Sequence, residues 1–175
     1  MFGFRKRPAP PAALTAALAP GEEILASAQE AAGGWLAVTR FGIWKLPVDA
    51  APKLVPWTLI SKVSWQAPIL HVVRADVVGE LAGAELIVDR HPYNYEIAEP
   101  GKLTDTIHAR VRSGIISSTH HDFPGGGGWV VVRRVPGRDG PTVQVRLDPG
   151  TGVEAARPWL AGPVAEALAP FRGEP

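Results

Sequence analysis

The chain has 175 residues, enough for one domain or one domain with a small addition, and 46% of them are hydrophobic, which is ample for a core. The formal net charge of +1 creates no overall field that would attract nucleic acid, so nucleic acid is disfavoured as a partner. The absence of cysteine excludes disulfides, zinc–thiolate sites, iron–sulfur clusters and a cysteine nucleophile.

The first 20 residues are predicted to form a flexible tail. Its Ala-rich run is too short and too weakly apolar for a secretory signal, and no stretch of the chain reaches the roughly 18 apolar residues of a membrane span. A cytoplasmic location is therefore expected. Phe2, Phe4, Arg5, Lys6 and Arg7 form a basic-aromatic cluster and a candidate interaction site. Such a cluster suits an anionic membrane surface. A solvated tail is the alternative interpretation.

Short apolar runs bounded by Gly, Pro or Asp follow the tail and predict a series of strands. The 19 Gly and 18 Pro favour many turns and short elements, which is typical of β-rich architectures. Alternating side chains predict strands at 23–30, 35–39, 41–47, 53–57, 60–65, 69–74, 85–89 and 93–97. Residues 74–84 lack a clear pattern and are expected to form a long connector.

The hydrophobic period changes after residue 100. Leu103, Ile107, Val111 and Ile115 recur at four-residue spacing, which predicts one amphipathic helix over residues 103–113.

The remaining part of the chain is predicted to contain a hairpin and a helix. Residues 117–121 and the glycines at 125–128 are expected to form a loop and a flexible linker. Strands follow at 129–135 and 142–147. A last helix is expected to begin near Pro163 and to run to about Ala169, because proline breaks an interior helical turn.

One segment resembles a known family. Residues 55–63, VPWTLISKV, place a proline and an aromatic residue ahead of Ile60. With about seven antiparallel-type strands before one helix, this resembles bacterial pleckstrin-homology-like (PH-like or GRAM-like) domains over about residues 21–118. The resemblance implies that Trp57 and Ile60 pack under a β-barrel, and that the ligand is a lipid, a peptide or a protein. The whole chain also resembles uncharacterised proteins of high-GC actinobacteria in its Ala-, Gly-, Pro- and Arg-rich composition.

The predicted fold class is therefore α+β, with three parts. Residues 1–20 are the tail. Residues 21–122 form a PH-like antiparallel β-barrel capped by a helix. Residues 123–175 add the Gly-rich linker, a C-terminal β-hairpin and a helix, packed on the barrel.

His120 and His121 form the second candidate interaction site, with Asp122 beside them. Neighbouring histidines can ligate a metal, but a site needs three or four ligands and adjacent side chains rarely point the same way, so no metal is predicted. Asp105, His108 and Arg112 share a helix face, as an oriented acid–base pair would. Because no nucleophile elbow accompanies them, surface pairing is the simpler interpretation.

No catalytic or cofactor-binding residue is predicted, and no cofactor. Without a carboxylate-pair signature, phosphate loop or dinucleotide fingerprint, the sequence favours a small binding or interaction module over an enzyme, with a protein as the expected partner. Two alternatives stay open. One is peripheral membrane binding through the barrel or the tail. The other is a small-ligand or enzyme pocket in the barrel mouth that contains His108, His120 or His121.

Overall fold

The computed structural model describes residues 8–172. Strands take up 44% and helices 24% of the chain, so the fold is mixed α+β, as predicted, with one strongly curled half-barrel sheet and a second sheet. The helices are α1 (Ala12–Ala16), α2 (Leu103–Gly114) and α3 (Val153–Leu168). The strands are β1 (Ala26–Gln29), β2 (Trp35–Val38), β3 (Gly42–Leu46), β4 (Lys53–Pro56), β5 (Ile60–Gln66), β6 (Ile69–Leu81), β7 (Ala84–Asp89), β8 (Tyr93–Glu96), β9 (Ile115–Phe123), β10 (Gly126–Arg134) and β11 (Pro141–Leu147).

Two sheets organise these strands. The first is the antiparallel meander β1-β2-β3-β4. The second has the order β5-β6-β7-β11-β10-β9, with β8 added beside the first half of β6. The long strand β6 pairs with β5 through residues 69–74 and with β7 through residues 75–81. Strand β6 therefore joins the β5-β6-β8 group to the β7-β11-β10-β9 part of the same sheet.

The first core lies between β1–β4, the β5-β6-β8 group and helix α2. Helix α2 contributes the fully buried Leu103 and Ile107, and this confirms the helical stripe read from the sequence. A 3₁₀ turn (Trp57–Leu59) connects β4 to β5. Trp57 and Ile60 are both buried in this core, as expected of the segment VPWTLISKV.

Helix α1 covers the opposite face of the first sheet. Leu14 is fully buried against Trp35 and Ala37, and Ile24 packs beside them. Residues 1–20 are predicted from the sequence to form a flexible tail, and that prediction does not include the packing of Leu14 against the sheet. Burial of one leucine against two sheet residues stabilises the short helix by roughly 2 kcal/mol.

Helix α3 lies over β10 and β11 and builds the second core. Its Ala156, Leu160 and Val164 are fully buried at helical spacing. The predicted start near Pro163 was wrong, because the helix begins at Val153 and contains Pro158 and Pro163. Burial of one continuous face outweighs the two lost backbone hydrogen bonds, and Gly162 has no Cβ to clash with the Pro163 ring.

Three segments expected to be irregular are strands. The connector at 74–84 continues β6 and turns into β7 through Ala82 and Gly83, both with positive φ, as a tight hairpin turn requires. The loop at 117–121 belongs to β9, and three of the four linker glycines, 126–128, belong to β10.

Close packing explains why the glycines of β10 stand in a strand. A Cβ on Gly127 would lie 2.5 Å from Asp148 Oδ2, and one on Gly126 would overlap the Thr151 side chain. Position 127 therefore favours glycine for space, and position 126 does so both for space and for its positive φ.

The second core draws on both sides of the predicted boundary at residue 122. Leu81 and Leu86 come from β6 and β7, whereas Val130 and Val145 come from β10 and β11. The division into a barrel and an added unit stays a prediction.

Candidate functional site

Only one of the two predicted interaction sites lies within the described residues. Phe2, Phe4, Arg5, Lys6 and Arg7 lie outside the described residues. His120 and His121 lie in the edge strand β9, paired to β10. Because neighbouring strand residues point to opposite faces, the two histidines do not form a pair.

His120 is held by two carboxylates and an indole. Its Nε2 lies 2.7 Å from Asp148 Oδ2 and its Nδ1 lies 3.5 Å from Asp122 Oδ1. The imidazole ring is tilted against Trp129, with 4.9 Å between ring centroids. These contacts tie the end of β11 to β9 across β10.

Within residues 8–172, no side-chain hydroxyl hydrogen-bonds to His120, and no group of three His, Asp or Glu side chains is arranged to hold a metal ion.

On α2, Asp105, His108 and Arg112 border an open, shallow depression. No hydrogen bond or ion pair joins these three side chains in the described part of the chain.

A groove of about 360 Å³ runs beside β1. Among residues 8–172, strand β1 pairs with β2 alone, and all the residues from Ser27 to Ala31 line the groove, so the groove borders the unpaired edge of β1. The lining residues are Pro8, Ser27, Ala28, Gln29, Glu30, Ala31, Gly33, Trp35, Ala98 and Glu99. An exposed strand edge carries unpaired backbone donors and acceptors, and it is the usual place where an extended peptide adds to a sheet.

Glu30 directly follows β1 and is, with Glu99, one of the two acidic residues that line this groove. Burial raises its pKa, and the nearby charge of Lys45 opposes that effect. Across residues 8–172, the Glu30 carboxylate has no hydrogen-bond donor and no cation within 4 Å. A Cβ on Gly34 would lie 3.0 Å from both Glu30 Oε1 and the Leu46 carbonyl oxygen, so the carboxylate lies over the turn between β1 and β2, on the side of Lys45.

A cluster of cations and tyrosines lies nearby, with Lys45 near the end of β3, Arg74 in the middle of β6, and Tyr93 and Tyr95 in β8. The Nζ of Lys45 lies 4.9 Å from the Tyr95 ring centroid and 5.5 Å from that of Tyr93. The guanidinium of Arg74 lies 5.1 Å from the Tyr93 centroid. Burial, together with the charge of Glu30, raises the pKa of Tyr95 to about 12, so its hydroxyl is protonated at neutral pH.

Beside this cluster, a depression of about 400 Å³ contains an ion pair between Arg90 and Asp76. Arg74 also borders it and, in the described range, has no carboxylate within 4 Å.

Sequence reasoning missed both the groove and the cation–tyrosine cluster. The turn after Glu30 is visible in the sequence as Ala-Ala-Gly-Gly. The groove, however, is also lined by Ala98 and Glu99, from the segment between β8 and α2. Their approach depends on the tertiary fold and leaves no local signal.

No protein-family model matches the chain, and no curated protein or solved structure matches it either. Of the three helices between residues 8 and 172, none is long and apolar enough to cross a membrane.

Proposed function

We propose that this chain is a non-catalytic binding module that holds a segment of a partner protein in the groove beside β1. The observation that carries the proposal is the unpaired edge of β1 along a concave, mixed polar and apolar surface. His108, His120 and His121 do not line this groove, so the alternative of an enzyme pocket has none of its candidate residues there. A cytoplasmic location belongs to the same proposal.

The fold assignment within this proposal is a PH-like barrel. Its support is the order of elements around the first core: a four-stranded antiparallel sheet, then β5, β6 and β8, then helix α2. The burial of Trp57 and Ile60 in that core supports it further. In this view the second half of β6, strand β7, β9–β11 and helix α3 are additions to the barrel.

Affinity purification from the native cells tests the proposal when the wild-type protein is compared with a variant whose groove is filled by a bulky side chain. Ala98 is an exposed residue on the groove wall, so Ala98→Trp fills the groove without disturbing the core. Ala109→Trp places the same side chain on the exposed face of α2 and is the matched control. We expect proteins that co-purify with the wild type and Ala109→Trp to be lost from Ala98→Trp. Equal recovery on all three baits, or no specific protein on any, contradicts the proposal.

A second candidate function is binding to an anionic membrane surface. The observation that favours it is the convergence of Lys45 and Arg74 on the half-exposed Tyr93, since cations beside an amphipathic ring suit lipid headgroups. Co-sedimentation with vesicles that contain anionic lipid separates the two binding regions. The double variant Lys45→Gln/Arg74→Gln removes barrel binding, whereas deletion of residues 1–11 removes tail binding. If the wild-type protein stays in the supernatant, membrane binding through the Lys45/Arg74 surface and membrane binding through the tail are both excluded.

A further inference from the structure

We infer that two copies of this chain pair through the outer edges of their β9 strands and form a closed dimer. The second sheet ends at β9, which among residues 8–172 pairs with β10 alone. In this part of the chain its outer edge therefore carries backbone N–H and C=O groups that meet no other strand, and residues 116–119 are exposed. This contact is separate from the groove beside β1.

The regular part of the β9 edge begins at Ser117. Ile116 is an extra residue opposite the step from Val132 to Arg133, and this bulge interrupts the pairing before Ser117. The stretch 117–121 contains no Lys, Arg, Asp, Glu or Pro, which are the residues that usually prevent strand edges from pairing. Great shortness is another such protection, and it applies to the four-residue β1 but not to β9. The outer edge of β9 is therefore open to a further strand.

The residue pattern selects one register for the pair. Two identical antiparallel strands are related by a two-fold axis that places one residue opposite its own copy. With the axis at Thr119, two β-branched threonines lie opposite each other, and the two serines before Thr119 lie opposite the two histidines after it. An axis at His120 would place two imidazoles against each other. An axis at Ser118 would bring the bulged residue Ile116 into the pairing.

A second copy fits this edge better than a strand of unrelated sequence. The unrelated strand gains the backbone hydrogen bonds alone, whereas a second copy adds the threonine pair and the serine–histidine pairs. Because the stretch 117–121 has no acidic residue, lysine or arginine, two copies bring no like charges of these groups together. The contact is isologous, so each copy covers the β9 edge of the other and the assembly closes at two chains. A pairing this short is expected to be weak and dependent on concentration.

Disulfide trapping tests both the dimer and its register, because the chain has no cysteine. Opposed residues of antiparallel strands have Cα atoms about 4.5–5.5 Å apart, a separation that a disulfide spans. The two copies of Ser117 would instead lie about 13 Å apart along the strands. Under mild oxidation we expect about tenfold more covalent dimer from Thr119→Cys than from Ser117→Cys. A mixture of Ser117→Cys and His121→Cys should form the mixed dimer.

Sedimentation velocity over about a hundredfold range of concentration tests the dimer without a cross-link. The wild type should shift from monomer to dimer. Thr119→Lys places two ammonium groups opposite each other and should stay monomeric, whereas Ala109→Lys, on the exposed face of α2, should behave as the wild type. A wild type that remains monomeric throughout, or a dimer that survives in Thr119→Lys, overturns the inference. Equal cross-linking of Thr119→Cys and Ser117→Cys also overturns it, since random collision then explains the covalent dimer.

Discussion

At the scale of single residues, Glu22 shows how one carboxylate joins the start of the chain to the first sheet. It is buried, with 8% of its surface exposed, and its Oε1 accepts hydrogen bonds from the Thr39 hydroxyl and, at 2.8 Å, from Trp44 Nε1. Its Oε2 accepts a third from the Ala19 N–H at 2.9 Å. Burial alone would raise the pKa of Glu22, but these three donors and the charge of Arg40 outweigh it, so the pKa is lowered.

The first prediction is a pH-dependent loss of stability in Glu22→Gln. At pH 7 the free energy of unfolding should fall by about 1–3 kcal/mol, because a charged acceptor is lost and a donor is left unpaired. Because the folded pKa is depressed, the stabilisation is present above the ordinary carboxyl pKa and is lost as the pH falls through the folded value. The gap between wild type and variant in urea unfolding should therefore be largest at pH 7 and should narrow as the pH falls through the depressed pKa of Glu22. A gap that keeps the same size down to acidic pH contradicts this, and the exposed neighbour Glu23→Gln is the control.

At the scale of elements, the strand pair β3–β4 depends on one glycine. Gly42 stands opposite Pro56, and its Cα faces the backbone of β4. A Cβ on Gly42 would overlap the carbonyl group of Val55, which is backbone and cannot rotate away. The two strands pair this closely only because residue 42 has no side chain.

Gly42→Ala is therefore expected to destabilise the protein strongly. Moving β4 away from β3 sacrifices their pairing and should lower the free energy of unfolding by about 2–4 kcal/mol. Gly114→Ala is the matched control, because a Cβ there meets open space at the end of α2. Replacing that glycine should be neutral or add up to about 1 kcal/mol. Thermal unfolding of both variants measures the contrast, and equal midpoints contradict it.

Elements with a clear period could be predicted from the sequence. The strands β2, β3, β7 and β8 and the helix α2 lie within a residue or two of their predicted bounds, since each is a short apolar or periodic run bounded by turn residues. Strand β9 could not be found in this way. Residues 116–119 are exposed on both faces of the strand, so neither face is marked by apolar residues.

The candidate site was still less visible from the sequence than the strands. His120 was identified, but its partner Asp148 is brought to it by the pairing of β9, β10 and β11. The groove beside β1 is lined in part by Ala98 and Glu99, which lie between β8 and α2. Contacts of this kind are decided by strand order, and strand order has no local signature in the chain.

At the scale of the whole molecule, two buried polar side chains join the first core to the sheet of the second. Arg133 Nη1 donates to the carbonyls of Trp57 at 3.2 Å and Ile60 at 3.3 Å. Gln144 Nε2 donates to the Thr58 carbonyl at 3.1 Å and to Glu85 at 2.9 Å. The turn between β4 and β5 thus rests on β10 and β11. Burial, together with the charge of Arg146, lowers the pKa of Arg133. The junction therefore removes the charged guanidinium group of Arg133 from water.

We predict that Arg133→Ala weakens the whole molecule and separates the stability of its two cores. The substitution leaves two carbonyls without their donor and opens a cavity, which should lower the free energy of unfolding by about 2–4 kcal/mol. In the wild type, the slowest-exchanging amides of β2 and β10 should report the same opening free energy, because the junction makes unfolding cooperative. In Arg133→Ala the two values should diverge. Arg134 is the adjacent, exposed arginine, and Arg134→Ala should change stability by no more than about 0.5 kcal/mol. If β2 and β10 still exchange with one common free energy in Arg133→Ala, the cores are joined by the shared strand β6 and the buried arginine contributes only local stability.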